Sequence, residues 1–190
     1  MFTRAFKSLY FYSMVDARTF PKTLEDARAV LEKEHALYKG EYLITDKIYI
    51  AKDISQPLEK VFLRLRLVPK NIWDEKPCIV TIKNTELKSV GKQSIIPVKK
   101  EFDTEADAEA FIATEYGNQF VFSFTFHRIG WQYFLGEDGI DLEDIEGHPS
   151  IEFKSKTEEG LAALLTLFKV SPADVIQGPS VVAVKELLGR

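Results

Sequence analysis

The sequence has 190 residues, of which 45% are hydrophobic and 28% charged, and these values predict one globular domain over residues 1–190 with room for a sizeable core. The net charge of -4 gives no overall attraction for nucleic acid or an anionic membrane, so a basic site would have to be local. No apolar run reaches the length of a membrane span, and the single cysteine excludes an internal disulfide, so we expect a cytoplasmic protein whose partners are neither nucleic acid nor membrane.

Strand-like and helix-like stretches follow one another along the chain, and strands predominate. Apolar, β-branched and aromatic residues predict strands at Thr3–Met14, Tyr42–Ala51, Val61–Val68, Cys78–Asn84, Lys92–Phe102, Asn118–Arg128, Trp131–Leu135, Ile140–Ile145 and Ser150–Lys154. Helices are predicted over Thr23–Leu37, Thr104–Tyr116, Thr157–Phe168 and Pro179–Leu188. Gly40 is the expected stop of the first helix, and Pro97 predicts an edge or a bulge in its strand. This succession predicts an α+β fold with an antiparallel sheet rolled into a barrel.

The strand Val61–Val68 carries two arginines in its middle. Because side chains alternate between the two faces of a strand, Arg64 and Arg66 share one face with Phe62, and the leucines between them take the other. Two parallel cations on one face need an anion, a carboxylate cluster or open water. The strand alone is equally consistent with a binding site and with an antiparallel sheet that is wet on one side.

Charged residues recur inside the other predicted strands. The cations are Lys7, Arg64, Arg66, Lys83, Arg128 and Lys154, and the acids are Asp46, Asp141, Glu143 and Glu152. If these side chains converge inside a barrel, they form a basic cavity with an acidic edge. Arginine suits phosphate oxygens, and carboxylates there could hold Mg²⁺ or Mn²⁺. The alternative is cross-strand ion pairing on a solvated face.

Phenylalanine occurs at every second position from Phe120 to Phe126, and this face is typical of a protein core. We expect Phe122 and Phe124 to lie in the barrel wall, packed against helices. The same face continues in register to Arg128, so either a bulge reorients the arginine or it does not point inward.

Five short motifs occur in an order that resembles the CYTH superfamily of triphosphate tunnel enzymes. They are Asp46-x-x-Tyr49, Arg64-x-Arg66, Thr81-x-Lys83 with the later Arg128, the segment from Asp141 through Glu143 to Gly147, and Ser150-Ile-Glu152. The resemblance implies an eight-stranded antiparallel barrel, open at both ends, with helices packed outside. It implies that Lys7, Arg64, Arg66, Lys83 and Arg128 grip a triphosphate. It also implies that Asp141, Glu143 and Glu152 hold Mg²⁺ or Mn²⁺.

The chain departs from the family pattern at several acids. If Lys7 matches the lysine of the N-terminal Glu-x-Glu-x-Lys motif, the two glutamate positions hold Thr3 and Ala5. Ser150 stands where the late strand has its first glutamate, and Ile96 and Val98 stand where another pair is common. No residue is assigned as catalytic.

The expected function is binding, with hydrolysis or cyclisation, of a small molecule that carries a triphosphate: inorganic triphosphate, a nucleoside triphosphate or thiamine triphosphate. The alternatives are binding of a phosphorylated ligand without turnover, and a protein-interaction module on the same fold. The cations in the strands fit the first two, and the missing glutamates favour binding without turnover.

Overall fold

The computed structural model of the protein describes residues 14–176 and 178–190. The strands within these ranges are β1 (Val15–Thr19), β2 (Leu37–Ala51), β3 (Val61–Lys70), β4 (Cys78–Leu87), β5 (Lys92–Phe102), β6 (Phe120–Leu135), β7 (Asp138–Ile145) and β8 (His148–Ser155). The α-helices are α1 (Glu25–Lys33), α2 (Glu105–Tyr116), α3 (Glu158–Leu167) and α4 (Ser180–Leu187), and a 3₁₀ turn covers Pro172–Asp174. No helix in the described part of the chain is long and apolar enough to cross a membrane.

The eight strands form one closed antiparallel ring. The order around it is β1-β5-β4-β3-β2-β6-β7-β8, and β8 pairs with β1 to complete the circle. The predicted α+β fold, a barrel of eight antiparallel strands with helices outside it, is confirmed. Because alternate side chains point to opposite faces, each strand offers one set of residues to the interior and the other to the helices.

Helices cover the outer face of the barrel wall with two apolar layers. Leu63 and Leu65 are fully buried on that face beneath Ala108 and Ile112 of α2. On the other side of the barrel, α1 and α3 pack over the outward residues of β1, β7 and β8. Burial of this leucine face directs Arg64, between the two leucines, into the barrel.

Helix α4 lies against the inward face of the wall and covers one end of the barrel. Val181 and Val184 pack on Phe62, Phe124 and Phe126, whose side chains point inward. Burial of these apolar side chains stabilises the packing of α4 against the inner face of the wall.

The strand predicted over Thr3–Met14 lies outside the described residues except for Met14, and the first described strand is Val15–Thr19. Two other predicted boundaries were wrong. The first helix ends at Lys33, because His35 takes a left-handed conformation with φ 53°, and β2 then runs through Gly40. The two strands predicted on either side of Gly130 form the single strand β6.

A bulge in β6 explains why the phenylalanine face was only half right. Ile48 pairs with Phe124 and Tyr49 with Phe122, so Ser123 is an extra residue on β6. The bulge turns Phe122 outward, where it is 53% exposed and meets Tyr49 edge-on, which contradicts its predicted core position. Phe124 is buried as predicted, but against α4 and not beneath the outer helices.

Candidate functional site

The inward side chains of all eight strands enclose a cavity of about 350 Å³, with α4 at its base. Its lining includes seven of the eight predicted site residues, namely Arg64, Arg66, Lys83, Arg128, Asp141, Glu143 and Glu152. Lys7, like Thr3 and Ala5, lies outside the described residues. The structure therefore brings the predicted cations and acids together inside the barrel, and the solvated-face alternative is wrong for these seven.

Strands β3 and β4 form a wall of the cavity on which every charged lining residue is a cation. Arg64 sits opposite Thr81 in the strand pairing, and Phe62 sits opposite Lys83. The Arg64 Nε and Thr81 Oγ1 atoms are buried without a hydrogen-bond partner in the described structure. No ion pair or hydrogen bond joins Lys83 to the described residues either. This basic wall, defined by Arg64, Arg66, Thr81 and Lys83, carries donors that no acceptor in the described part of the chain satisfies.

The pKa values of Arg64 and Lys83 on the basic wall are lowered, because burial and neighbouring cations outweigh the acids near them. Burial and the neighbouring Arg66 lower the pKa of Arg64 to about 9. Burial, Arg64 and Arg66 lower the pKa of Lys83 well below its ordinary value. An anion bound between these side chains would relieve both effects.

Asp46 of β2 is the acid nearest to the basic wall, and arginines surround it. It accepts hydrogen bonds from Arg66 Nε at 2.8 Å and Arg66 Nη2 at 3.0 Å, and from Arg128 Nη2 at 2.9 Å. Arg64 Nε lies 3.8 Å from the same carboxylate, beyond hydrogen-bonding distance. Burial alone would raise the pKa of Asp46, but Arg66, Arg128 and Arg64 outweigh it and hold that pKa well below its usual range. Asp46 is therefore a buried counter-ion for these arginines.

The opposite side of the cavity carries the three predicted metal-binding acids. Asp141 and Glu143 lie on β7 and Glu152 lies on β8, and one carboxylate oxygen from each lies within 4.8 Å of the others. Oxygen donors at this spacing could hold a metal ion, and they suit the hard ions that prefer carboxylates. The donor set of this acidic cluster therefore fits a divalent cation chemically.

Each acid of the cluster is nevertheless bound by a basic side chain of the protein. Glu143 accepts hydrogen bonds from Arg18 and, at 2.8 Å, from Arg128 Nη1. Glu152 lies 3.0 Å from Arg18 Nη2 and 3.0 Å from Lys154 Nζ. The same lysine donates to Asp141 at 2.5 Å. A divalent ion would have to compete with these partners.

The pKa shifts of the cluster follow from these ion pairs. Burial alone would raise the pKa of Glu143, but Arg128 and Arg18 outweigh it and lower that pKa. Burial likewise opposes ionisation of Glu152, whose pKa is nonetheless held well below its usual value by Lys154 and Arg18. Asp141 differs, because burial, together with Glu152 and Glu143, raises its pKa against the lowering effect of Lys154. Both glutamates are therefore ionised at neutral pH.

Gly130 and Tyr42 hold Glu143 in place. The Tyr42 hydroxyl donates to Glu143 Oε1 at 2.6 Å. A Cβ atom added at Gly130 would lie 2.1 Å from the Tyr42 ring, so only glycine lets β6 approach this ring. Trp73 packs on the other side of Tyr42, with ring centroids 4.8 Å apart, and donates from Nε1 to Gln132 at 3.2 Å.

Arg18 and Asp16 are cavity residues that the sequence analysis missed. They alternate on β1 and point inward, as Lys92 does at the start of β5. Lys92 Nζ donates to Asp16 and, at 3.0 Å, to Ser180 Oγ at the start of α4. The Asp-x-Arg alternation in the sequence was the signal that could have found them.

The structure places Ser150, Ile96 and Val98, the residues that stand where the family pattern has glutamates, in different surroundings. Ser150 is fully buried and accepts a hydrogen bond from Arg18. On β5 the register shifts between the partners Ile82 and Asn84, which confirms a bulge beside Pro97. The bulge changes which residues face inward, so Ile96 lines the cavity and Val98 does not.

Comparisons with known proteins add the fold. Neither a protein-family model nor a curated protein sequence matches the chain. Among solved structures, the PH1012 protein from Pyrococcus horikoshii OT3 is 16% identical, with a TM-score of 0.67 over 86% of this chain and 94% of that one. A candidate adenylate cyclase from Vibrio parahaemolyticus is 17% identical, with a TM-score of 0.66 over 93% and 98%. A candidate adenylyl cyclase from Hippeastrum, HpAC1, described as having a dominant triphosphatase activity, is 16% identical, with a TM-score of 0.57 over 85% and 87%. The chain has the fold of these proteins.

Proposed function

We propose that the cavity binds a small molecule that carries a triphosphate, with the phosphates against the basic wall. The observation that carries this proposal is a pair of buried polar atoms, Arg64 Nε and Thr81 Oγ1, that have no hydrogen-bond partner among the described residues. The half-buried Lys83 lies beside them and forms no ion pair with that part of the chain. Buried donors without acceptors are costly and uncommon in folded proteins. A chain of phosphate oxygens would supply acceptors for all three, and charge-assisted bonds to phosphate are among the strongest available.

The positions of the charged side chains in the cavity support anion binding, although their net charge does not. Basic and acidic side chains line the cavity in equal numbers, so the net charge of the lining favours neither sign. Three of the acids lie together on β7 and β8, in ion pairs, whereas every charged lining residue of β3 and β4 is a cation. A volume of about 350 Å³ falls within the range of small-molecule pockets.

Two further observations support the triphosphate class. The ordered motifs resemble those of the CYTH superfamily, and we propose that the chain is a divergent relative of that group. The Hippeastrum protein of the same fold is described as having triphosphatase activity, and the Vibrio protein as a candidate adenylate cyclase. The proposed ligands are therefore inorganic triphosphate, a nucleoside triphosphate or thiamine triphosphate.

If an ion displaces the basic partners of the acidic cluster, we propose that it is Mg²⁺ or Mn²⁺, with Asp141, Glu143 and Glu152 as its protein ligands. When bound, such an ion would neutralise phosphate charge and lower the pKa of a coordinated water. The three carboxylates are already paired with Arg18, Arg128 and Lys154. We therefore propose binding that does not depend on the ion and a weak or absent Mg²⁺-dependent triphosphatase activity, which makes a binding module the second candidate function.

Calorimetric titration of tripolyphosphate, with EDTA present, tests the proposal. Wild-type protein should bind in a saturable manner, and Arg64→Met and Lys83→Met should each weaken binding. Matched controls are Arg28→Met and Lys33→Met, since Arg28 is exposed on α1 and Lys33 is 81% exposed. Equal affinity in all five proteins, or no binding by the wild type, would refute the proposal. Phosphate release from tripolyphosphate, ATP and thiamine triphosphate with Mg²⁺ then separates binding from turnover.

A further inference from the structure

Arg18 occupies the space between the two glutamates of the acidic cluster. It lies on β1, directly opposite Glu152 on β8, and its side chain is 2% exposed. Its Nη1 donates to Glu143 and to the Ser150 hydroxyl, while its Nη2 lies 3.0 Å from Glu152. One guanidinium thus joins two carboxylates that lie on different strands.

We infer that Arg18 is a resident cation that takes the place of a divalent ion between Glu143 and Glu152. A divalent ion at this cluster would need the same carboxylate oxygens. The guanidinium already binds them with two separate nitrogens, and it is held there by its own backbone. An ion from solution must therefore displace Arg18 before it can coordinate both glutamates.

Three features of the site support this role. Burial alone would lower the pKa of Arg18, but Glu143 and Glu152 outweigh it and raise that pKa, so the charge stays in place at every physiological pH. Arg18 Nε is buried without a hydrogen-bond partner among the described residues, so the contacts of Nη1 and Nη2 with Glu143, Ser150 and Glu152 hold the side chain. Lys154 supports the arrangement by pairing with Asp141 and Glu152.

The inference rests on the proposed function in one respect only. If the cavity binds a triphosphate, Arg18 explains why that binding needs no metal, because the acids that would repel phosphate are already neutralised. The occupancy of the cluster by Arg18 can be tested without any phosphate ligand. The two ideas can therefore fail separately.

The test is Mn²⁺ binding to the full chain, measured by calorimetry in phosphate-free buffer. Arg18→Met should bind Mn²⁺ at least tenfold more tightly than wild type, because it frees Oε2 of Glu143 and Oε1 of Glu152 while keeping an unbranched side chain. Arg28→Met, an equal change on the exposed face of α1, should bind Mn²⁺ as wild type does. Adding Glu143→Gln to Arg18→Met should abolish the gain. Wild-type affinity equal to that of Arg18→Met would overturn the inference.

Stability gives a second readout, because removal of Arg18 leaves two buried carboxylates without their shared partner. Mn²⁺ should raise the melting temperature of Arg18→Met and leave that of wild type unchanged. If Arg18→Met does not fold even with Mn²⁺, Arg18→Lys decides, since lysine keeps the charge but cannot span both glutamates. A severalfold gain in Mn²⁺ affinity for Arg18→Lys supports the inference, and no gain overturns it.

Titration of tripolyphosphate separates this inference from the proposed function. Tight Mn²⁺ binding by Arg18→Met without any tripolyphosphate binding by wild type would sustain the role of Arg18 and refute the proposed ligand. Tripolyphosphate binding by wild type, with no gain of Mn²⁺ affinity in Arg18→Met, would support the proposed ligand and refute the role of Arg18.

Discussion

Replacing Arg64 by methionine should weaken anion binding and yet leave the fold at least as stable as before. Arg64 is 13% exposed, and its Nε lies 3.8 Å from an Asp46 carboxylate that Arg66 and Arg128 already satisfy. Burial and Arg66 lower its pKa to about 9, which means that the fold disfavours this charge by on the order of a few kcal/mol. Because arginine keeps its proton in practice, the folded protein bears this cost.

The matched variant is Arg66→Met, for which the opposite effect on stability is expected. Arg66 holds Asp46 through two bonds, at 2.8 and 3.0 Å, and its removal leaves that buried carboxylate with fewer partners. Breaking a buried pair costs about 3–5 kcal/mol, and we expect about 1–3 kcal/mol here because Arg66 is partly exposed and Arg128 remains. Each kcal/mol shifts the melting temperature of a domain of this size by about 2–4 °C.

The assays are thermal unfolding without ligand and calorimetric titration of tripolyphosphate. Loss of charge-assisted hydrogen bonds from Arg64 should cost about 1.5–3 kcal/mol of binding free energy. That loss corresponds to a dissociation constant that is roughly 10- to 150-fold larger. The reasoning is refuted if Arg64→Met is destabilised as much as Arg66→Met and binds tripolyphosphate as wild type does, because Arg64 would then serve the fold and not the ligand.

Three further predictions concern the wall, the glycine and the lysine of the cavity. Phe124→Ala should lower the free energy of unfolding by about 3–5 kcal/mol, because Phe124 is buried. Phe122→Ala, at an exposed site, should change it by less than about 0.5 kcal/mol. Equal effects of the two variants in denaturant titration would contradict the β6 bulge. Gly130→Ala should displace Tyr42 and lower the melting temperature, and an unchanged value would show that the ring can move freely. The pKa of Lys83 is lowered in the free protein, and a bound anion should raise it. At a pH between the free and the bound pKa, Lys83 should therefore take up a proton when the anion binds. The affinity for the anion should fall as the pH rises through this interval. Calorimetry in buffers of different ionisation enthalpy should show this uptake in wild type and not in Lys83→Met.

The alternating pattern of β3 was enough to place its side chains. A strand whose leucines share one face must bury that face, and the arginines between them then point the other way. The structure has this arrangement, with Leu63 and Leu65 beneath α2 and Arg64 and Arg66 in the cavity. The alternation therefore predicted that Arg64 and Arg66 share one face of β3, and the closed ring of strands places that face inside the barrel.

The ion pairs could not be predicted in the same way. Arg18 and Glu143 are 125 positions apart in sequence, and only the closure of β1 on β8 brings them together. Strand β1 is short and charged, so the aromatic stretch before it gave a stronger strand signal. The bulge at Ser123 was also invisible, because a single extra residue leaves the phenylalanine spacing unchanged.

The decisive measurement for the basic wall is a crystal structure of the protein soaked with tripolyphosphate in metal-free buffer. We expect phosphate oxygens in the cavity, within hydrogen-bonding distance of Arg64 Nε, Thr81 Oγ1 and Lys83 Nζ, with Arg18 still bound to Glu143. A cavity without the anion at saturating tripolyphosphate, or an anion bound only on the outer surface of the barrel, would contradict this expectation.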